Sequence, residues 1–197
     1  MDNLKSFFNL LAEADMQDVG MDTCHYLQIL GSLVSKKPDK VLEVGIGTAF
    51  LTVGLMMGLR YNQSGTLTCI DNWSDWGGIE PAEIADLRGA GVEVVAPISE
   101  KEFLSTCPAN EFDFVVADGD HKNCGTWVDE YFRITKPDGF IYFHDTNNTE
   151  RFPTLKLVEQ RVKELGLPHY HFTRNSRADE RCDRGLLLVI NRKTPAV

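Results

Sequence analysis

The chain has 197 residues, 43% of them hydrophobic, and a formal net charge of −9 at neutral pH, which fits one domain able to bury roughly 70% of its unfolded surface. Its five cysteines, at 24, 69, 107, 124 and 182, are irregularly spaced and form no Cys-x-x-Cys, which excludes a disulfide framework or thiolate zinc site and fits a reducing, cytoplasmic setting. The acidic balance argues against nucleic acid as a partner, and the absence of a leader-like start or of a run near the ~18 apolar residues that span a bilayer argues against a membrane.

The elements alternate along the chain. Leu4, Phe7, Phe8 and Leu11 form one helical stripe, and Leu27, Leu30 and Val34 continue the period until Pro38 closes the region. Residues 1–37 are therefore expected to form two helices, and 38–197 the core of the same domain. Strands are expected at 40–45, 66–71, 92–96, 112–117, 139–143, 169–173 and 185–191. Helices are expected at 49–60, 80–89, 100–106 and 124–135, with a further one carrying Leu155, Val158, Val162 and Leu165. Near-continuous apolar strands alternating with helices predict an α/β fold: a doubly wound, Rossmann-like sheet of seven strands, mostly parallel, with helices on both faces. The last two strands, joined by a polar loop without a helix, predict an antiparallel hairpin at the end.

In such sheets ligands sit beyond the carboxyl ends of the strands. The first strand runs into Val41-Leu-Glu-Val-Gly-Ile-Gly-Thr-Ala49, a glycine turn opening a helix. Gly45 and Gly47 permit close approach of a ligand, and the N–H groups of the helix opening near Thr48 face the same space. Ala49 replaces the third glycine of a dinucleotide fingerprint and no basic phosphate-binding residue stands nearby, so a pyrophosphate ligand fits poorly. Glu43 would repel phosphate but suits the ammonium of an amino-acid moiety. Asp71 ends the neighbouring strand, where a carboxylate accepts both hydroxyls of an unphosphorylated ribose. Asn72 follows it, and Trp73 either stacks on an adenine or caps the surface beside the Trp76-Gly77-Gly78 loop. Ser99 ends the third strand.

The fourth strand ends at Asp118-Gly-Asp-His121 and the fifth at His144-Asp145-Thr146-Asn147. Carboxylates converging at adjacent strand ends repel unless a cation or a proton joins them. Asp118 and Asp145, with the hydroxyl of Thr146 or the amide of Asn147, form a candidate site for Mg²⁺ or another divalent cation. The alternative is that both aspartates cap the helices that follow. His121 is the candidate general base, with His144 as the second candidate or an orienting group.

Together these motifs resemble the class I S-adenosylmethionine-dependent methyltransferases, and within them the small metal-dependent O-methyltransferases of the catechol and caffeoyl-CoA type. The resemblance covers nearly the whole length. It implies S-adenosylmethionine as cofactor, held by Glu43, Gly45, Gly47, Thr48, Asp71, Asn72, Trp73, Ser99 and Asp118, and methyl transfer to a small-molecule hydroxyl. The catechol-type pattern has a lysine where this chain has His121 and an asparagine where it has Thr146. The Asp-Gly-Asp-His and Phe-His-Asp-Thr wording resembles instead the sugar and antibiotic O-methyltransferases. A nicotinamide-dependent oxidoreductase would share the opening turn but gives no reason for pairing Asp118 with Asp145; a cofactor-binding protein without catalysis is the other alternative. Arg174, Arg177, Arg181 and Arg184 cluster in the last polar loop, as a solvated loop, an anion site or a homodimer contact. The acceptor pocket is expected between the N-terminal helices and the loops at 73–80, 147–153 and 174–184.

Overall fold

The computed structural model describes residues 23–74, 77–147, 149–173 and 184–192. Seven strands form one sheet in the order β3-β2-β1-β4-β5-β7-β6, with β1 Lys40–Val44, β2 Thr66–Ile70, β3 Glu93–Val95, β4 Phe112–Ala117, β5 Thr135–His144, β6 His169–Phe172 and β7 Leu186–Ile190. β1 to β5 run parallel, and β7 is antiparallel to both β5 and β6. The strand order reverses between β1 and β4, which opens a crevice at their carboxyl ends. Among the described residues the helices are α1 Thr23–Lys36, α2 Phe50–Asn62, α3 Ile84–Gly89, α4 Glu100–Thr106, α5 Val128–Ile134 and α6 Leu155–Glu164; a 3₁₀ turn at Cys124–Trp127 leads into α5.

The sheet is apolar on both faces because its strands alternate between two cores. Val41, Cys69, Phe114 and Tyr142 face the side covered by α1 and α2. Leu42, Val115, Ile141 and Phe143 face the side of α5 and α6. On α1 the buried face is Tyr26, Ile29, Leu30 and Leu33, the i, i+3, i+4, i+7 set. The expected stripe is displaced by one residue there, since Leu27 is exposed. Leu165 likewise lies beyond the end of α6 and is exposed, while Leu155, Val158 and Val162 are buried. The helix expected over Leu4 to Leu11 lies outside the described residues.

Two element boundaries depart from the sequence reading. β5 starts at Thr135, four residues before its apolar run, because Thr135 already pairs with Phe112 ahead of a register shift. The helix expected from residue 80 starts at Ile84 after a turn in which the Pro81 carbonyl accepts the Ile84 N–H. No described helix is long and apolar enough to cross a membrane.

Candidate active site

At the carboxyl end of β1 the chain turns sharply. Gly45 adopts φ +91°, and a Cβ there would lie 2.3 Å from the Asp118 carbonyl oxygen. The glycine is thus required by the approach of β1 to the β4 loop. Gly47 has φ +51° and nothing within 4 Å of where its Cβ would stand, so this is the residue whose missing side chain leaves room. Asp71 organises the turn: its Oδ2 accepts the N–H groups of Ile46 (2.8 Å) and Gly47 (3.1 Å), and its Oδ1 accepts that of Trp73 (2.6 Å). A carboxylate expected to wait for ribose hydroxyls is therefore already engaged in shaping the loop, with its remaining lone pairs left for a ligand. The turn opens on a cleft of about 680 Å³ lined by Gly45, Gly47, Asp71, Asn72, Ser99 and Asp118 among others, within the range of small-molecule sites.

Three expected cofactor contacts are placed differently. Glu43 is fully buried and absent from the cleft wall; strand alternation turns it under α2, where its Oε2 accepts the Cys69 thiol at 3.1 Å. Burial pushes its carboxyl up to about 8, against the Thr52 hydroxyl and the Cys69 thiol, with the charges of Asp118 and Asp71 adding to the rise. Placed there, the carboxyl does not itself border the cleft in which an ammonium would sit. Thr48 is exposed and does not line the cleft. Trp73 borders the cleft, but its side chain is only 1% exposed and packs in the α1 and α2 core, so it is neither a surface cap nor a free-standing stacking platform. Ser99 keeps a place on the wall and also caps α4, accepting the Glu102 N–H.

Next to the glycine turn, the ends of β4 and β5 deliver a polar cluster. Oδ1 of Asp118 lies 2.8 Å from Nδ1 of His144 and 3.1 Å from Nε2 of His121. Asp145, at φ +58° in the left-handed region, places one oxygen 3.6 Å from each imidazole, and Nη1 of Arg184 is 3.5 Å from its Oδ1. The two carboxylates are thus compensated by imidazole N–H groups and a guanidinium, and neither aspartate caps a helix: the N-cap residues of the 3₁₀ turn, α5 and α6 are Asn123, Trp127 and Thr154. Burial raises the Asp118 carboxyl, but His144 and His121 outweigh it and hold it well below the usual range. His121 responds in kind: burial lowers it, while the Asp118 hydrogen bond and the charges of Asp118 and Asp145 carry it above its ordinary value.

The two histidines differ in access. The His121 side chain is 20% exposed, lines the cleft and stacks on Phe152 with ring centroids 5.2 Å apart. The His144 side chain is 0% exposed, with the His25 ring of α1 edge-on at 5.6 Å. His144 is thus bonded to Asp118 and does not line the cleft, the position of the orienting group rather than of the second candidate base. Thr146, expected as a metal oxygen, turns its hydroxyl to Nε2 of His171 at 2.9 Å, and the Asn147 amide donates to the Thr173 carbonyl. The donor set that converges is Asp118, His121 and His144. Mg²⁺ takes an octahedron of oxygens, so two imidazoles and one carboxylate do not fit it. Of the arginines expected near the site, Arg184 reaches it; Arg174, Arg177 and Arg181 lie outside the described residues.

Glu100 stands with Ser99 at the end of the third strand, where sequence reasoning assigned it a place but no role. It is 6% exposed, borders the cleft and accepts the Asp120 N–H at 2.9 Å. Burial pushes it up to about 7, with the Asp120 N–H and the Tyr131 hydroxyl opposing. The Thr154 hydroxyl, within reach of the His121 (3.3 Å) and Lys122 (2.8 Å) carbonyls, ties the same turn from the β5–α6 connection.

A family model described as a methyltransferase domain matches residues 42–146, more than half of the chain. Among solved structures, the cofactor-bound Rv0187 protein from MTB is 16% identical with a TM-score of 0.67, over 98% of this chain and 91% of that one. An O-methyltransferase from Bacillus cereus in complex with SAH is 14% identical with a TM-score of 0.66, over 96% and 91%. The O-methyltransferase TomG from Streptomyces achromogenes, in complex with SAM, is 14% identical with a TM-score of 0.63, over 86% and 80%. At these identities the likeness is one of fold. No curated protein matches the sequence.

Proposed function

The chain belongs to the methyltransferase-domain family, and from that premise we propose that it transfers the methyl group of S-adenosylmethionine to a hydroxyl of a small molecule. The observation that carries this reading is that one cleft is bordered both by the Asp71-tied glycine turn and by His121. The SAH and SAM held by the Bacillus and Streptomyces proteins, which share the fold, support the choice of cofactor.

In the reaction the acceptor oxygen attacks the methyl carbon in line, the C–O bond forming as the C–S bond breaks, and S-adenosylhomocysteine leaves. The hydroxyl proton has to go to a base. His121 donates from Nε2 to Asp118, which in the neutral imidazole leaves the lone pair on Nδ1. Asp118 and Asp145 then stabilise the imidazolium that forms, as a buried carboxylate does for the histidine of a hydrolase triad. His144 holds Asp118 from behind. No step is derived through Mg²⁺, since the donor set does not suit it.

The test combines titration calorimetry with S-adenosylhomocysteine and NAD and transfer of labelled methyl from S-adenosylmethionine to a panel of small hydroxyl compounds. Binding of the first and not the second, with methyl transfer to oxygen, is expected. His121→Ala is expected to slow transfer by roughly 10²–10⁴-fold with cofactor affinity retained. Tight NAD binding without S-adenosylhomocysteine heat would sink the reading.

A further inference from the structure

We propose that Asp118, His121 and His144 bind a borderline divalent ion of the zinc class, and that such an ion switches the methyltransferase off by occupying the base. The switch half of this statement rests on the assignment of His121 above; the binding half rests on the donor set alone.

The three side chains come from the ends of two neighbouring strands and the turn after one of them, and one ligand atom from each lies within 4.8 Å of the others. Two imidazole nitrogens already point at one carboxylate oxygen, at 2.8 and 3.1 Å. Ligand atoms on a tetrahedral ion with bonds of ~2.0–2.2 Å stand about 3.3–3.6 Å apart. Small outward shifts would therefore let one ion replace the two bridging protons. Two imidazoles and one carboxylate, with coordination positions left over, is a set that suits zinc and its neighbours in the late transition series, whereas magnesium and calcium call for oxygens. The site is also built: His144 is fully buried and fixed on β5, and Asp145, itself 3.5 Å from Arg184, adds a second negative charge beside both rings.

The consequence follows from the tautomers. An ion on Nε2 of His121 takes that nitrogen's lone pair, so the one proton of the neutral ring moves to Nδ1. Nδ1 is the atom with which the free enzyme accepts the hydroxyl proton. The metal-loaded protein therefore loses its base, while Asp71, which ties the glycine turn, supplies none of the ion's ligands.

The test starts from metal-free, full-length protein. Zinc chloride is titrated calorimetrically, retained zinc is counted after dialysis, and cobalt(II) serves as a visible-band probe of nitrogen ligation. One zinc per chain is expected, undisplaced by a ~1000-fold excess of magnesium. His121→Ala should weaken zinc binding by more than about 100-fold and change the cobalt bands, since loss of a partner merely supporting a ligand already costs roughly 10–100-fold. His144→Gln, checked by its melting transition, is the second variant, and S-adenosylhomocysteine affinity should be equal with and without zinc. A wild type that retains no zinc, a His121→Ala that binds it as the wild type does, or displacement by magnesium overturns the site. Zinc ligated by His121 with turnover unimpaired overturns the switch. Unimpaired turnover in metal-free His121→Ala overturns the assignment of the base instead, and leaves the zinc titration to decide the site by itself.

Discussion

Glu43→Gln isolates the consequence of burying an acid under α2. In the folded protein the Glu43 carboxyl holds its proton up to about 8, whereas in the unfolded chain a glutamate releases it near 4.3. Between those values the unfolded state binds fewer protons than the folded one, so stability falls as pH rises, at about 1.4 kcal/mol per pH unit. The contribution is complete below the unfolded value and is lost by the time pH passes the folded one. Glutamine is a neutral isostere and lacks this slope. The difference in unfolding free energy, variant minus wild type, should therefore grow by about 3 kcal/mol in the variant's favour from pH 5 to 7.5. Titrating groups that do not interact with Glu43 appear in both proteins and cancel in the difference, whereas Asp71 and Asp118 act on Glu43 itself. The offset at low pH depends on how the buried carboxamide N–H groups are met, but the slope does not. Urea unfolding at four pH values measures it, and S-adenosylhomocysteine affinity at pH 7 should change by less than about 0.5 kcal/mol because Glu43 does not line the cleft. Parallel stability curves for the two proteins would refute the raised carboxyl. A collapse of cofactor affinity would return Glu43 to the ligand.

Asp71→Ala removes the acceptor of three backbone N–H groups and should weaken S-adenosylhomocysteine binding by about 1–3 kcal/mol in calorimetry; unchanged affinity would show that the glycine turn holds its shape unaided. Gly45→Ala must displace the β4 loop as well as strain its own backbone, so its urea midpoint should fall by the equivalent of about 2 kcal/mol or more. Gly47→Ala meets open space and should lose only about 1–2 kcal/mol of stability, its larger effect being on the ligand; equal stability losses in the two alanine variants would contradict the distinction drawn between the glycines.

The strands were legible because each is a run of apolar residues bounded by turn formers, and a parallel sheet covered on both faces demands such runs. β5 shows the limit: Thr135 to Asp138 are polar, and only pairing with Phe112 makes them strand. The carboxyl-end motifs were legible too, since topology puts all of them at one edge of the sheet. Which way each side chain turns there was not. Glu43 stands two residues before a glycine of the cleft, yet the pleat sends it to the core under α2. Thr146 follows a cluster residue directly, yet its hydroxyl goes to His171, a partner 25 positions away on a strand that its own segment does not hint at. Glu100 was legible as a strand-end residue but not in its role, since nothing near it in sequence announces the Asp120 N–H it accepts.

The turn from Asp118 to His121 shows why local wording underdetermines a site. Asp118 is gripped by His144 of β5, the Asp120 N–H by Glu100 of α4, the carbonyls of His121 and Lys122 by Thr154 before α6, and the His121 ring rests on Phe152. Four partners from three separate parts of the chain thus hold one turn. A side chain held this way, if it is the base proposed above, spends little conformational entropy in reaching its working position. The same rigidity is what brings Asp118, His121 and His144 into a geometry that an ion can read. The placement proposed to let His121 take a proton from a substrate is also the one proposed to hold an ion, and the two uses of its imidazole exclude one another.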